Sequence, residues 1–152
     1  MPNPLLEENT LPPFNAIEPQ QVEPAIRQLI ECNKTRINAL LEEQDTYSWD
    51  NLLAPIEALE DALSQAWSPV SHLNSVCNND AMRQAYNACL PLLSEYQTWK
   101  GQHEKLCAAY RDIAASPHFS SMDSGVRRAV EKALRDFRLA GVDLSPEEKV
   151  RY

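Results

Sequence analysis

The chain has 152 residues, a net charge of −8, 3 glycines and 11 prolines. That length suffices for one ordinary domain with a core. The acidity disfavours nucleic acid and anionic membrane surfaces, which both select a basic face, and so few glycines argue against a hairpin-rich β architecture.

The opening residues Met1 to Glu18 read as an extended arm, held open by Pro2, Pro4, Pro12 and Pro13. Leu5, Leu6, Leu11, Phe14 and Ile17 give it apolar anchors, so docking onto the body is expected. From about Val22, the residues Val22, Ile26, Leu29, Ile30, Ile37, Leu40 and Leu41 form one stripe of 3.6-residue period. Pro24 is placed in the first turn of this helix. Asp45-Thr46-Tyr47-Ser48 makes a turn, and Ser48 caps a second helix whose core face is Leu52, Ile56, Leu59, Leu63 and Trp67. Ser68-Pro69 repeats the cap-plus-proline signal and predicts a separate short helix through about Val76.

Asn78-Asn79-Asp80 predicts the next break and cap. A long amphipathic stretch runs from Met82 through Tyr86, Cys89, Leu90, Leu93, Tyr96, Trp99, Leu106 and Tyr110 to Ile113, with a kink expected near Asn87–Pro91 and a weak point at Gly101. Ser116-Pro117 ends it. A further helix spans about Ser124 to Leu139, with Val126, Val130, Ala133, Leu134 and Phe137 on one side and Gly141 as its C-cap. Ser145-Pro146-Glu147-Glu148 then opens one more helix with a capping box. The chain stops within about two turns of that start, too short for a stable helix, and a longer protein is expected.

The predicted fold is all-α: an antiparallel bundle of about five to six helices, because short connections make neighbours antiparallel. The expected organisation is a single helical domain, with the arm at 1–18, the body at 19–144 and the start of a truncated helix at 145–152. No apolar run approaches the ~20 residues that cross a bilayer, and no membrane partner is expected. The N-terminus lacks the basic start and apolar core of a secretory signal. Cys32, Cys77, Cys89 and Cys107 show no CxxC spacing. Cys32, Cys89 and Cys107 fall in helical pattern as small hydrophobes, which fits reduced thiols and a cytoplasmic location. Helices that pack on a missing part would leave an apolar patch able to drive self-association.

Chemistry-bearing motifs are sparse. His103-Glu104-Lys105-Leu106-Cys107 imitates the HExxH of zinc peptidases, in which two histidines four apart on a helix share one ion and the glutamate activates water. Here the second histidine is Cys107, and His72 and His118 lie in other segments without a clustered carboxylate. His103 reads as a polar helix residue and Cys107 as core. No glycine-rich phosphate loop and no GxSxG turn occur. The pairs Glu7-Glu8, Glu42-Glu43 and Glu147-Glu148 read as solvated or dipole-favoured residues. Trp49, Trp67 and Trp99 are expected to face the core. No catalytic, cofactor-binding or metal-ligating residue is therefore assigned.

A longer pattern points to a family. Ser68-Pro-Val-Ser-His-Leu-Asn-Ser-Val76, Arg83-Gln-Ala-Tyr86 and Leu90-Pro-Leu-Leu-Ser-Glu-Tyr96 resemble the N-terminal region of the thimet-oligopeptidase-like zinc metallopeptidases. The resemblance continues through Thr98-Trp99, Gly101-Gln-His-Glu104, Ala109-Tyr-Arg-Asp112 and Ala133-Leu-Arg-Asp-Phe137. At the front, Asn3-Pro-Leu-Leu6, Leu11-Pro-Pro-Phe14, Val22 and Pro24-Ala25 also match, so it covers essentially the whole chain. It implies a cytoplasmic enzyme that cleaves short peptides inside a channel between two mostly helical halves. Zinc would be held beyond position 152 by an HExxH helix and a downstream glutamate, in a C-terminal catalytic part of the same polypeptide. Two readings stand at this point: the N-terminal scaffold of a zinc oligopeptidase, or a free-standing helical interaction module without chemistry.

Overall fold

The computed structural model describes residues 2–77 and 79–152; the Asn78 part of the predicted break lies outside the described residues. Helices dominate and no strand occurs among the described residues. The helices are α1 (Pro19–Glu43), α2 (Ala54–Val76), α3 (Asp80–Gly101), α4 (Glu104–Ala115), α5 (Ser124–Leu139) and α6 (Pro146–Arg151). Short 3₁₀ turns occupy Pro4–Leu6, Phe14–Ala16 and Phe119–Ser121, and a π-helical turn, Trp49–Leu53, precedes α2.

Local chemistry explains most boundaries. The α1 helix begins earlier than its apolar stripe does, because Pro19 suits the first helical position and the Gln21 side chain accepts the Glu18 N–H at 2.9 Å. Pro24 consequently lies inside the helix, not in its first turn. Ser48 caps the π-helical turn reciprocally with Asn51, at 3.2 and 2.8 Å. The predicted helix start at Ser68-Pro69 is not a boundary: α2 runs unbroken to Val76. Pro69 and Val70 are buried, so packing offsets the lost backbone bond and the local signal is overridden. Asn79 caps α3 by accepting from the amides of Ala81 and Met82.

The long amphipathic stretch is two helices. It continues through Pro91 but ends at Gly101, and α4 starts afresh at Glu104. The α5 helix has the predicted bounds, capped at its start by Asp123. It closes in a Schellman motif: the Val142 N–H reaches the Phe137 carbonyl, the Gly141 N–H reaches the Arg138 carbonyl, and Gly141 sits at φ +84°. Any Cβ there is strained by that left-handed backbone. Ser145 and Glu148 form the predicted capping box of α6.

The chain divides into two compact units. The first comprises Met1–Ile37 and Pro55–Glu95. Its core gathers Val22, Ala25, Ile26 and Ile30 of α1, Ile56, Leu63 and Val70 of α2, and Met82 and Cys89 of α3. Trp67 stacks on Tyr86 with centroids 4.9 Å apart. The arm docks as expected through buried Leu5 and Ile17, and the Asn3 amide donates to the Gln21 carbonyl at 2.8 Å. Leu11, by contrast, is 79% exposed and anchors nothing.

The second unit comprises Asn38–Ala54 and Tyr96–Tyr152. Leu52, Tyr96, Leu106, Ile113 and Val130 are its innermost side chains. The α4 helix packs against α5, where Tyr110 meets Phe137 edge-to-face at 5.4 Å. Trp49, Trp67 and Trp99 are half-buried, in keeping with core-facing positions for rings too large to be often fully enclosed. One expectation about burial needs correction. Cys32 is exposed while Cys89 and Cys107 are buried; Cys32 falls off the apolar stripe of α1.

Candidate functional site: the His103 joint

The one motif that imitates a zinc site lies where α3 gives way to α4. Gly101 ends α3, and a Cβ at that position would stand 2.6 Å from the Ala140 Cβ. The backbone of α3 approaches the end of α5 so closely that only glycine fits. The Gln102 side chain donates to the Ala140 carbonyl at 3.0 Å, satisfying a helix-end acceptor. His103 is therefore not a helix-interior residue, as its pattern suggested, but the N-cap of α4.

Its ring is engaged at both nitrogens. Nδ1 accepts the Leu106 N–H at 3.1 Å, which places the proton on Nε2, and Nε2 lies 2.9 Å from Oδ1 of Asn38 in α1. Trp99 packs edge-on against the ring at 5.0 Å. Burial lowers the His103 pKa below the ordinary histidine value, so the neutral ring is favoured.

The other members of the motif are equally committed. Glu104 accepts from Lys149 of α6 at 2.8 Å. That hydrogen bond holds its carboxyl below the usual range, making it a poor proton acceptor. Cys107 is buried, and burial raises its thiol pKa. Cys89 is pushed up to about 11, by burial first and then by Glu23. Both thiols stay protonated at neutral pH, whereas a metal ligand or nucleophile must be a thiolate. His72 is exposed and tilts against Phe14 at 5.3 Å, and His118 is exposed in a turn.

The residues present do not fit zinc. No group of three or more His, Cys, Asp or Glu side chains able to hold a metal occurs among the described residues, and a catalytic zinc takes about three protein ligands. The carboxylate pairs do not converge on a site either. Glu7, Glu8, Glu42, Glu43 and Glu147 are exposed, and Glu148 is held below its ordinary pKa by the Ser145 backbone N–H and hydroxyl. The segment builds a helix joint in which His103, Glu104 and Cys107 are each tied into structure. Sequence pattern missed the roles of Asn38 and Gln102. The available signal was Gly101 followed by two polar residues and an acidic first turn at Glu104.

Such a helix-rich chain, with its histidine and glutamate tied into structure, matches one known class of domain. The Neurolysin/Thimet oligopeptidase, N-terminal domain family matches residues 26–149, and the chain belongs to that family. Among individual relatives it is similar over all 152 residues to Oligopeptidase A of Haemophilus influenzae at 45% identity and of Salmonella typhimurium at 44%. It is 29% identical over 150 residues to an Arabidopsis thaliana protein named Organellar oligopeptidase A, chloroplastic/mitochondrial, covering 99% of this chain and 19% of that one. The chain spans 22% of the length of the two bacterial relatives.

Proposed function

We propose that this chain is the N-terminal helical scaffold of an oligopeptidase A-like zinc metallopeptidase that hydrolyses short peptides in the cytoplasm. The observation that carries this reading is the unbroken 44–45% identity to Oligopeptidase A over the whole chain. The scaffold's own side chains supply packing, not proton transfer: His103 caps α4, Glu104 holds α6, and Cys107 fills the core. Zinc, its ligands and the general base belong to a C-terminal catalytic part of the same polypeptide. The acidic net charge, and the absence among the described residues of any helix long and apolar enough to cross a membrane, are in keeping with this reading.

The test is hydrolysis of internally quenched peptides of graded length by the complete gene product, with and without a zinc chelator. Chelator-sensitive cleavage of short peptides, with folded proteins left intact, is expected. A complete gene product that ends near Tyr152, or one that cleaves nothing, would overturn the proposal.

A further inference from the structure

Two stretches of the first unit carry no Asp, Glu, Lys or Arg. One is the arm between Glu8 and Glu18, and the other lies between Asp61 and Asp80. Across the whole chain 24% of residues are charged, and α5 carries a charged side chain in every turn, so these stretches stand apart. The fold sets them side by side. Phe14 lies against His72 with ring centroids 5.3 Å apart, and Pro12 and Pro13 share the walls of one cavity with Ser68 and Pro69.

The surface they form is exposed and apolar. Leu11 is 79% exposed, Phe14 39% and Val76 62%, and the exposed His72 stands one turn before Val76 on α2. The outward stripe of α2 continues through Ser64, Gln65, Ser68 and Ser75, so no charge interrupts it. A water-facing helix ordinarily carries charge on its outer face. Exposed apolar side chains on a surface without charge have instead the composition of an interface centre, where charged residues are depleted.

The relatives point to the occupant. This chain spans 22% of the length of the two bacterial Oligopeptidase A proteins, so a polypeptide of their length holds far more protein outside this segment than within it. A tethered body meets the patch at an effective concentration on the order of millimolar, which a second copy does not reach. We propose, resting on the reading of this chain as part of a longer oligopeptidase, that the Leu11–Phe14–His72–Val76 surface seats the part of the same polypeptide that follows residue 152. The seated segment presents apolar side chains to Leu11, Phe14 and Val76, and uncharged polar groups to the serines of α2.

The test uses the complete gene product with the photo-cross-linking residue benzoylphenylalanine in place of Leu11 or of Val76. Both positions are exposed, so either replacement should leave this unit folded. Cross-links within one molecule, joining these positions to peptides beyond residue 152, are expected. Cross-links confined to residues 1–152 or to a second molecule, or none from either position, would overturn the proposal. Val76→Asp puts a charge into the seat, and amide exchange in the cross-linked partner segment should rise about tenfold as local opening becomes easier. Unchanged exchange there would also overturn it. Chelator-sensitive peptide turnover without these cross-links would defeat the seat alone, whereas a gene product that ends near Tyr152 would defeat the longer-oligopeptidase reading with it.

Discussion

The two units are closed by different chemistry. In the unit of Met1–Ile37 and Pro55–Glu95, aromatic and apolar contacts join elements distant in sequence: Trp67 on Tyr86, Phe14 on His72, and Leu5 and Ile17 of the arm in the core. Its polar joints are neutral amides, Asn3 to the Gln21 carbonyl and the buried Asn33 to the Leu59 carbonyl. In the unit of Asn38–Ala54 and Tyr96–Tyr152, the joints gather at helix ends and include titratable groups: His103 with Asn38, Glu104 with Lys149, Arg111 with Asp143. Neutral joints carry no proton and add no pH dependence of their own. Joints made by titratable groups tie it to pH and to the backbone positions that bring the ends together.

The largest effect expected is on a feature the units share, burial of apolar bulk. Phe137→Ala removes the ring that meets Tyr110 and should destabilise the second unit by about 3–5 kcal/mol. Amide exchange should rise in α4 and α5 far more than in α2. Equal loosening of both units would erase the distinction between them. Next comes the close approach at Gly101. Gly101→Ala gains helix propensity but forces its Cβ against Ala140, a net loss of about 1–3 kcal/mol. Adding Ala140→Gly should recover most of it; no recovery would mean that the contact is not the cause.

His103 gives the sharpest contrast in pH. Its lowered pKa means that the unfolded chain binds its proton more readily than the folded one. Stability is therefore fully present above the unfolded histidine value near 6.5 and falls as pH drops below it. Protonation also converts Nδ1 from the acceptor that caps α4 into a donor. His103→Ala should cost about 1 kcal/mol at pH 7 through the lost cap. His103→Asn keeps an acceptor at the cap and should abolish the stability change between pH 7 and 5, read from denaturation midpoints. The carboxylates Glu104 and Glu148, also held low, act in a separate window. Their contribution is present above their ordinary value near 4.5 and is lost below it. The smallest effect is at Arg111, exposed beside Asp143; Arg111→Ala should move the melting midpoint no more than the error of the measurement.

Local signals were legible where the chemistry is local. Ser145 and Glu148 stand at capping-box spacing and form the box, and the apolar period of α5 together with Gly141 fixed both of its ends. Ser68-Pro69 misled because the same dipeptide reads as a helix start, while its continuation as helix is decided by the burial of Pro69 and Val70. The contact of His103 with Asn38 was illegible because Asn38 lies 65 residues away and no periodicity links the two, whereas its capping of α4 is local and was signalled by Gly101 and the acidic first turn at Glu104. The early start of α1 rested on a side chain, Gln21, that no apolar pattern includes. The family resemblance, carried by many short matches, was readable along the whole chain and agrees with the match over residues 26–149.

The central claim is that this segment scaffolds a peptidase whose zinc chemistry lies elsewhere in the polypeptide. Zinc content and peptide turnover, measured together on the complete gene product with wild-type sequence and with His103→Ala, test it most directly. Undiminished zinc in the variant, with chelator-sensitive turnover within about twofold of wild type once normalised to folded protein, is the expected result, since a factor of two is well under 1 kcal/mol. Loss of zinc and turnover in a variant that retains its helical circular dichroism would place His103 in the metal site and contradict the account.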